Sequence, residues 1–375
     1  APKLYKAFVQ DSNSGESLTH DLADHVAEAM RKNGYATAHI GKYHVGGHGG
    51  EETLPENAGF DINIGGFTQG HQPVCFASKD GGNWVFRKLG RGHFDRFAEP
   101  YTESYLKQHN FPLSLLGTPK HVSDALSDAM EETIGKFADD EKPFYLQLHP
   151  YAVHGPVRSR PDLKESTGDE LAGFVASIDL TIGRLLKVLN DTGCAENTLI
   201  LFTGDNGTDT PIVSSWNGTT FAGGKGKMTD AGTRVPLIAH WPGVINTGKV
   251  SKDLVDFSDF LPTLCKAAKA DIPAELAIDG RSFLPLLKGG DYQPREWVYC
   301  WYSRNGKTNI QQWARNQRYK LYPSGELYDI SQDMLEKTPL SELTPEAQQA
   351  RATLQGVLDQ FKDARPAPKE KKKRK

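Results

Sequence analysis

Four short stretches hold the residue types from which an anion-cleaving site could be built. Lys42 and His44 lie in GKYHVG, His154 in AVHGP, Asp205 and Asn206 in GDNG, and Lys225 in GGKGKMTDAGTRVP. Asp205 and Asn206 offer neighbouring hard oxygens at a tight turn, which suits Ca²⁺ or Mg²⁺ better than a soft metal. Lys225, set between glycines, has a backbone that can approach a ligand closely and an ammonium that can meet an oxyanion. His154, in a loop restrained by Pro156, can give a proton to a leaving group. Each stretch by itself also fits a plainer reading: an Asp-Asn-Gly hairpin turn, a surface lysine, a solvated loop histidine. His149, at a strand end, reads as structural. Taken together, the lysines, the histidines and the hard-metal pair describe a site for hydrolysing an anionic ester.

These stretches must be positioned by the elements before them. Leu18, Leu22, Val26 and Met30 recur at a spacing of four between Ser17 and Gly34, which predicts an amphipathic helix over 17–33. YATAHI (35–40), PFYLQLH (143–149), TLILFT (198–203) and VPLIAHW (235–241) read as short buried strands. Between the middle two, Leu171, Phe174, Val175, Ile178, Ile182, Leu185, Leu186 and Leu189 line a broad apolar helix face. Strands alternating with helices predict an α/β fold, a mostly parallel mixed sheet sandwiched by helices. In such sheets ligands collect beyond the carboxyl ends of the strands, where the polar stretches lie. From about residue 296 the chain turns aromatic-rich and turn-punctuated, which predicts a small antiparallel sheet. The Gly-, His- and aromatic-rich segment 60–120 reads as an irregular insertion shaping a pocket mouth. The expected division is an α/β domain over 1–290, a C-terminal α+β subdomain over 291–363 and a basic tail over 364–375.

The formal charge is −3, from 44 Lys and Arg against 47 Asp and Glu. Seven basic residues and Glu370 in RPAPKEKKKRK leave the body at about −9. A body so acidic is not expected to bind nucleic acid. The four cysteines (Cys75, Cys194, Cys265, Cys300) form no Cys-x-x-Cys pair, so neither a zinc site nor a disulfide framework is expected. No apolar run reaches the length of a membrane-spanning helix.

In order and spelling, the blocks LADHVAEAMRKNGYATAHIGKYHVG, PFYLQLHPYAVHGP, AENTLILFTGDNG and GGKGKMTDAGTRVPLIAHWPG resemble the sulfatases of the alkaline phosphatase superfamily. The likeness runs from about residue 17 to 330, with Tyr43 where the family has Trp. DFSDFLPTLCKAA and RYKLYPSGELYDI resemble the family's later helix and C-terminal sheet. The resemblance implies that Asp205 and Asn206 ligate a divalent metal, Ca²⁺ or else Mg²⁺. It implies that Lys42 and Lys225 hold the sulfate, that His154 faces the leaving-group oxygen and that His44 contacts the nucleophile. The implied activity is a sulfuric ester hydrolase, cleaving a sulfated carbohydrate or aryl sulfate by a metal-assisted covalent mechanism, in an exported (periplasmic, extracellular or lysosomal) setting.

The sequence departs from the family in two places. Neither a Cys-x-Pro-x-Arg nor a Ser-x-Pro-x-Arg motif occurs, and the Asp-Asp pair of the family's first strand is absent. With Ala1 as first residue, the resemblance implies an N-terminally incomplete sulfatase, inactive alone, with formylglycine expected only in the missing segment. Two alternatives stand beside it: a phosphoester or phosphonate hydrolase of the same superfamily, and a non-catalytic sulfated-glycan binder.

Overall fold

The computed structural model describes residues 23–43, 54–66, 75–87, 94–216, 218–272, 278–303 and 310–362. The chain forms two compact units that meet in sequence near residue 197.

In the first unit, α1 (Ala23–Lys32) buries Ala27, Ala29 and Met30, and Gly34 at φ +85° ends the turn that follows. Residues 17–22 of the predicted helix lie outside the described residues. Strand β1 (Ala36–Gly41) is central, pairing in parallel with β2 (Ile62–Ile64) and later with β5 (Phe144–His149). Thr37, Ala38, His39 and Ile40 are all buried, as expected of a parallel strand covered on both faces. Segment 60–120 is more regular than predicted. It holds β2, a hairpin of β3 (Ser78–Asp80) and β4 (Asn83–Val85) turning at Gly81-Gly82, and α2 (Glu103–His109). Helix α3 (Val122–Asp139) packs on β1 and on α5 (Glu170–Asp191), which the short α4 (Pro161–Thr167) precedes.

The α3–α5 seam is polar. Ser123 bonds Ser177 at 3.1 Å and Ser127 bonds Thr181 at 3.0 Å, with all four side chains buried. Of the apolar face predicted for α5, Phe174 and Leu189 are buried, while Val175 and Leu186 stand 50% and 42% exposed. The hydroxyl pairs explain this rotation. A buried hydroxyl without a partner costs more than a methyl left half in water, so the helix turns its serine and threonine toward α3.

In the second unit, β6 (Ile200–Thr203) pairs antiparallel with β9 (Leu237–His240) as a two-stranded sheet. The long connection between them carries the hairpin β7 (Val213–Trp216) and β8 (Thr219–Ala222), and the short helix α6 (Asp230–Thr233). After α7 (Phe260–Ala268) and α8 (Leu284–Lys288) comes the predicted antiparallel sheet: β10 (Val298–Tyr302), β11 (Gln311–Arg315), β12 (Tyr319–Leu321) and β13 (Leu327–Asp329), in that spatial order. Helix α9 (Pro345–Gln360) closes it, burying Ala350, Leu354 and Val357 against Ala314, Leu321 and Leu327. The basic tail 364–375 lies outside the described residues. None of the four cysteines is in a disulfide.

Candidate active site

In the first unit the register sets Gly41, the last residue of β1, opposite His149, the last of β5. The two carboxyl ends therefore coincide, and the Lys42 N–H donates to the His149 carbonyl at 2.8 Å. A side chain at Gly41 would place its Cβ 2.1 Å from that carbonyl oxygen, and φ there is +103°, so glycine is what lets the strands finish this close. Below Lys42 lies a histidine pair. His39 is fully buried, with Nε2 3.2 Å from His149 Nδ1, which is also 3.2 Å from the Lys42 carbonyl. Burial first, and the neighbouring His149 second, hold His39 well below the ordinary histidine range, so it stays neutral.

The His154 loop is tied down on both sides. Tyr151 donates its hydroxyl to the Gly65 carbonyl at 3.0 Å, the Cys75 thiol meets the Pro156 carbonyl, and His121 Nε2 meets the Arg158 carbonyl at 2.9 Å. Beyond it Arg160, 2% exposed, lies over the Phe111 ring and is paired with Asp124 and Asp162. His154 itself is half-buried, and its Nδ1 lies 2.7 Å from the Gly155 carbonyl. A carbonyl can only accept, so in that contact Nδ1 is the donor, which leaves Nε2 as the ring's other nitrogen. His44 lies outside the described residues.

In the second unit, the loop after β6 and the glycine-rich loop before α6 are joined backbone to backbone. Gly207 N–H donates to the Gly232 carbonyl and Lys225 N–H to the Thr208 carbonyl, both at 3.0 Å. Asp205, Asn206 and Lys225 thus ride on one interlocked pair of loops. Asp205 is exposed, while Asn206 and Lys225 are half-buried. None of the three side chains makes a hydrogen bond or ion pair among the described residues. A carboxylate and an amide oxygen without partners among the described residues fit a hard cation, of which they would supply part of the oxygen shell.

Among the described residues, several buried charges are matched by partners far away in the sequence. His109, Asp128 and Glu131 approach closely enough to suggest a metal site. Arg184 already pairs with both carboxylates, and Lys120 pairs with Asp128 at 2.9 Å, so a cation there would have to displace two others. In the second unit Lys320, with no exposed surface, is matched by Asp230 and Glu336.

Residues 13–270 match the Sulfatase family model, and residues 224–364 match the model for the N-sulphoglucosamine sulphohydrolase C-terminal region. A sulfatase of Formosa agariphila is 31% identical over 393 aligned positions, covering 91% of this chain and 69% of that protein. The N-acetylgalactosamine-6-sulfatase of Canis lupus familiaris is 29% identical over 283, covering 72% of this chain and 50% of that protein. The chain thus spans between half and about two thirds of the length of these relatives. The crystal structure of Ps i-CgsB superposes with a TM-score of 0.72 at 23% identity, covering 98% of this chain and 80% of that one. Its complex with k-i-k-neocarrahexaose gives 0.70 at 21%, covering 97% and 79%. At that identity the likeness is one of fold, the alkaline-phosphatase-like α/β architecture. With a family model matching more than half of the chain, over the strands and loops that carry Lys42, His154, Asp205 and Lys225, this chain belongs to the sulfatase family.

Proposed function

We propose that this chain forms the sulfate-holding and leaving-group side of a sulfuric ester hydrolase acting at the S–O bond of a sulfated carbohydrate or an aryl sulfate. The observation that carries this reading is the interlocked loop pair, which presents Lys225, Asp205 and Asn206 without side-chain partners among the described residues, in a chain of the sulfatase family. Lys42 and Lys225 are the cations that hold the sulfate oxygens, where negative charge grows as the ester bond breaks. His154 delivers a proton from Nε2 to the departing oxygen, its other nitrogen being fixed on the Gly155 carbonyl. His44 contacts the nucleophile. A Ca²⁺ or Mg²⁺ ion held by Asp205 and Asn206 would polarise a sulfate oxygen and the nucleophile. A glycan substrate is supported by the neocarrahexaose bound to Ps i-CgsB and by the galactosamine named for the dog relative.

None of the four cysteines sits in Cys-x-Pro-x-Arg, and the serine version of that motif is also absent. The formylglycine nucleophile is therefore not among these 375 residues, and the chain by itself binds metal and sulfate without turning over an aryl sulfate. Two measurements test the reading: calorimetric titration with Ca²⁺, and acetylation of Lys225 followed by mass spectrometry at rising inorganic sulfate. Asp205→Ala should abolish the calcium heat, and sulfate should slow labelling of Lys225. Calcium binding unchanged by Asp205→Ala removes the metal assignment. Protection by phosphate and not by sulfate moves the substrate to phosphoesters.

A further inference from the structure

Lys225 has no side-chain partner among the described residues, so its aim is inherited from its backbone. That backbone turns tightly, the Lys227 N–H donating to the Gly224 carbonyl at 2.8 Å, and one side of the turn is fixed by the bond from Lys225 N–H to Thr208. The other side is held by the C-terminal sheet. Lys320, on β12, donates from Nζ to the Met228 carbonyl at 2.7 Å and to Glu336 at 2.8 Å, and lies 3.3 Å from Asp230. Tyr322 donates its single hydroxyl proton to Glu336, with its oxygen 3.3 Å from the same Met228 carbonyl. Glu336 in turn accepts from the Asp230 N–H at 2.7 Å, and Arg315, on β11, grips the Asp230 carboxylate at 2.8 and 3.0 Å.

We infer that Lys320, with Glu336 and Tyr322, is a positioning residue for Lys225, clamping the loop by the Met228 carbonyl and the Asp230 amide. Two buried cations, Lys320 and Arg315, meet two buried anions, Asp230 and Glu336. Apolar side chains of the same volume commonly serve stability as well as such a cluster does. What they cannot do is reach a loop carbonyl and a loop amide at once. Lys320 therefore acts through the loop, some five residues from the cation it aims, and touches no substrate. The inference rests on the proposed role of Lys225 in holding sulfate.

The test uses the whole chain and three variants: Lys320→Met, Lys320→Met with Glu336→Gln, and Tyr322→Phe. Three quantities are read: melting temperature, amide exchange over residues 223–233, and the inorganic sulfate concentration that half-protects Lys225 from acetylation. Lys320→Met should lower the melting temperature and speed exchange. It should also raise the half-protecting concentration about tenfold, the scale of one charged hydrogen bond. The double variant removes both charges together, so its melting temperature should recover while exchange and half-protection stay impaired. Tyr322→Phe, which should fold in any case, should shift both in the same direction by a smaller factor. Recovery of all three quantities in the double variant would overturn the inference, as would Tyr322→Phe leaving exchange and half-protection at wild-type values. Absence of sulfate protection in the unsubstituted chain would instead remove the role of Lys225, with amide exchange still reporting whether the clamp exists.

Discussion

A single methyl group at Gly207 should separate the two loops of the candidate site. An ideal Cβ built there falls 1.9 Å from the Ala231 carbonyl oxygen and 2.8 Å from Gly232 Cα, whereas real Cβ contacts stay beyond 3.0 Å. The loops must therefore part by at least the difference, 1.1 Å. Ala231 cannot yield easily, because it follows Asp230 directly and Asp230 is gripped by Arg315 and Lys320. The movement falls on Gly207 and on Asn206 beside it. Forcing a methyl into such a contact costs about 1–3 kcal/mol, and loss of the bond from Gly207 N–H to Gly232 adds about 1 kcal/mol. A displacement near 1 Å in a binding constellation is worth about 10²-fold. Gly207→Ala should therefore weaken Ca²⁺ binding by about that factor, read by calorimetry, and lower the melting temperature. Gly356→Ala is the control, since its Cβ in α9 meets nothing within 4 Å, and it should stabilise by up to about 1 kcal/mol. Wild-type calcium binding and melting in Gly207→Ala would refute the interlock. Lowered melting with unchanged calcium affinity would leave the interlock standing and remove Asn206 from the metal.

Acid should loosen the first unit. His39 and His121 are both held below the ordinary histidine range, mainly by burial, so the unfolded chain takes up protons near pH 6.5 that the folded one refuses. Stability is complete above that pH and falls below it, by about 1.4 kcal/mol per pH unit for each such histidine. His121 Nδ1 also caps α3 by accepting from the Ser123 N–H, so amide exchange at the start of α3 should quicken from pH 7 to 5.5, and should do so less in His121→Asn, which keeps a capping oxygen. Arg184→Met should cost about 3–5 kcal/mol, because it leaves Glu131 and part of the Asp128 charge unmatched. Zn²⁺ should raise the melting temperature of Arg184→Met through His109, Asp128 and Glu131, and should not do so by that route while Arg184 is present.

What was legible in the sequence follows from how each element is buried. Strands β1 and β5 are short continuous apolar runs ended by glycine or histidine, and they appear where those runs lie. The C-terminal sheet announced itself by aromatic alternation, and four strands are there. Pattern failed where polar groups are buried in pairs. Ser177, Thr181 and Arg184 read as the solvent face of α5, yet they form its contact with α3, because a hydroxyl is expensive to bury only when it lacks a partner and each partner lies some 54 positions away. Lys320 failed in the same way. In RYKLY it reads as the outward residue of an alternating strand, and nothing local shows that Asp230 and Glu336 will be waiting. Within the candidate site, the glycines beside Lys42 and Lys225 sit against neighbouring backbone, at the His149 carbonyl and at Asp209 and Ala231, a packing use that the sequence reading, which looked to a ligand, did not assign. The His39–His149 pair went unread because a histidine inside an apolar run looks like one more buried residue.

Lys225 and Lys320 carry the same charge, stand in one unit and differ in what they meet. Lys320 is enclosed by two carboxylates and a carbonyl, so each of its donors is spoken for and it has nothing left to offer a ligand. Lys225 lies half-buried at the junction of two loops that bring no carboxylate to its ammonium among the described residues. A cation kept partly out of water and unmatched is costly to hold, and folds keep such groups where an external anion completes them. The same contrast divides the acids. Asp128 and Glu131 are matched by Arg184 and Lys120, whereas Asp205, beside Asn206, has no side-chain partner among the described residues. Partnering thus separates the two kinds of charge more sharply than burial does, since Lys225 and Glu131 are both half-buried and, among the described residues, only Glu131 is matched. By that criterion the proposed metal and sulfate sites fall to the loops after β6 and before α6, and the richer cluster of charges on α3 is part of the frame.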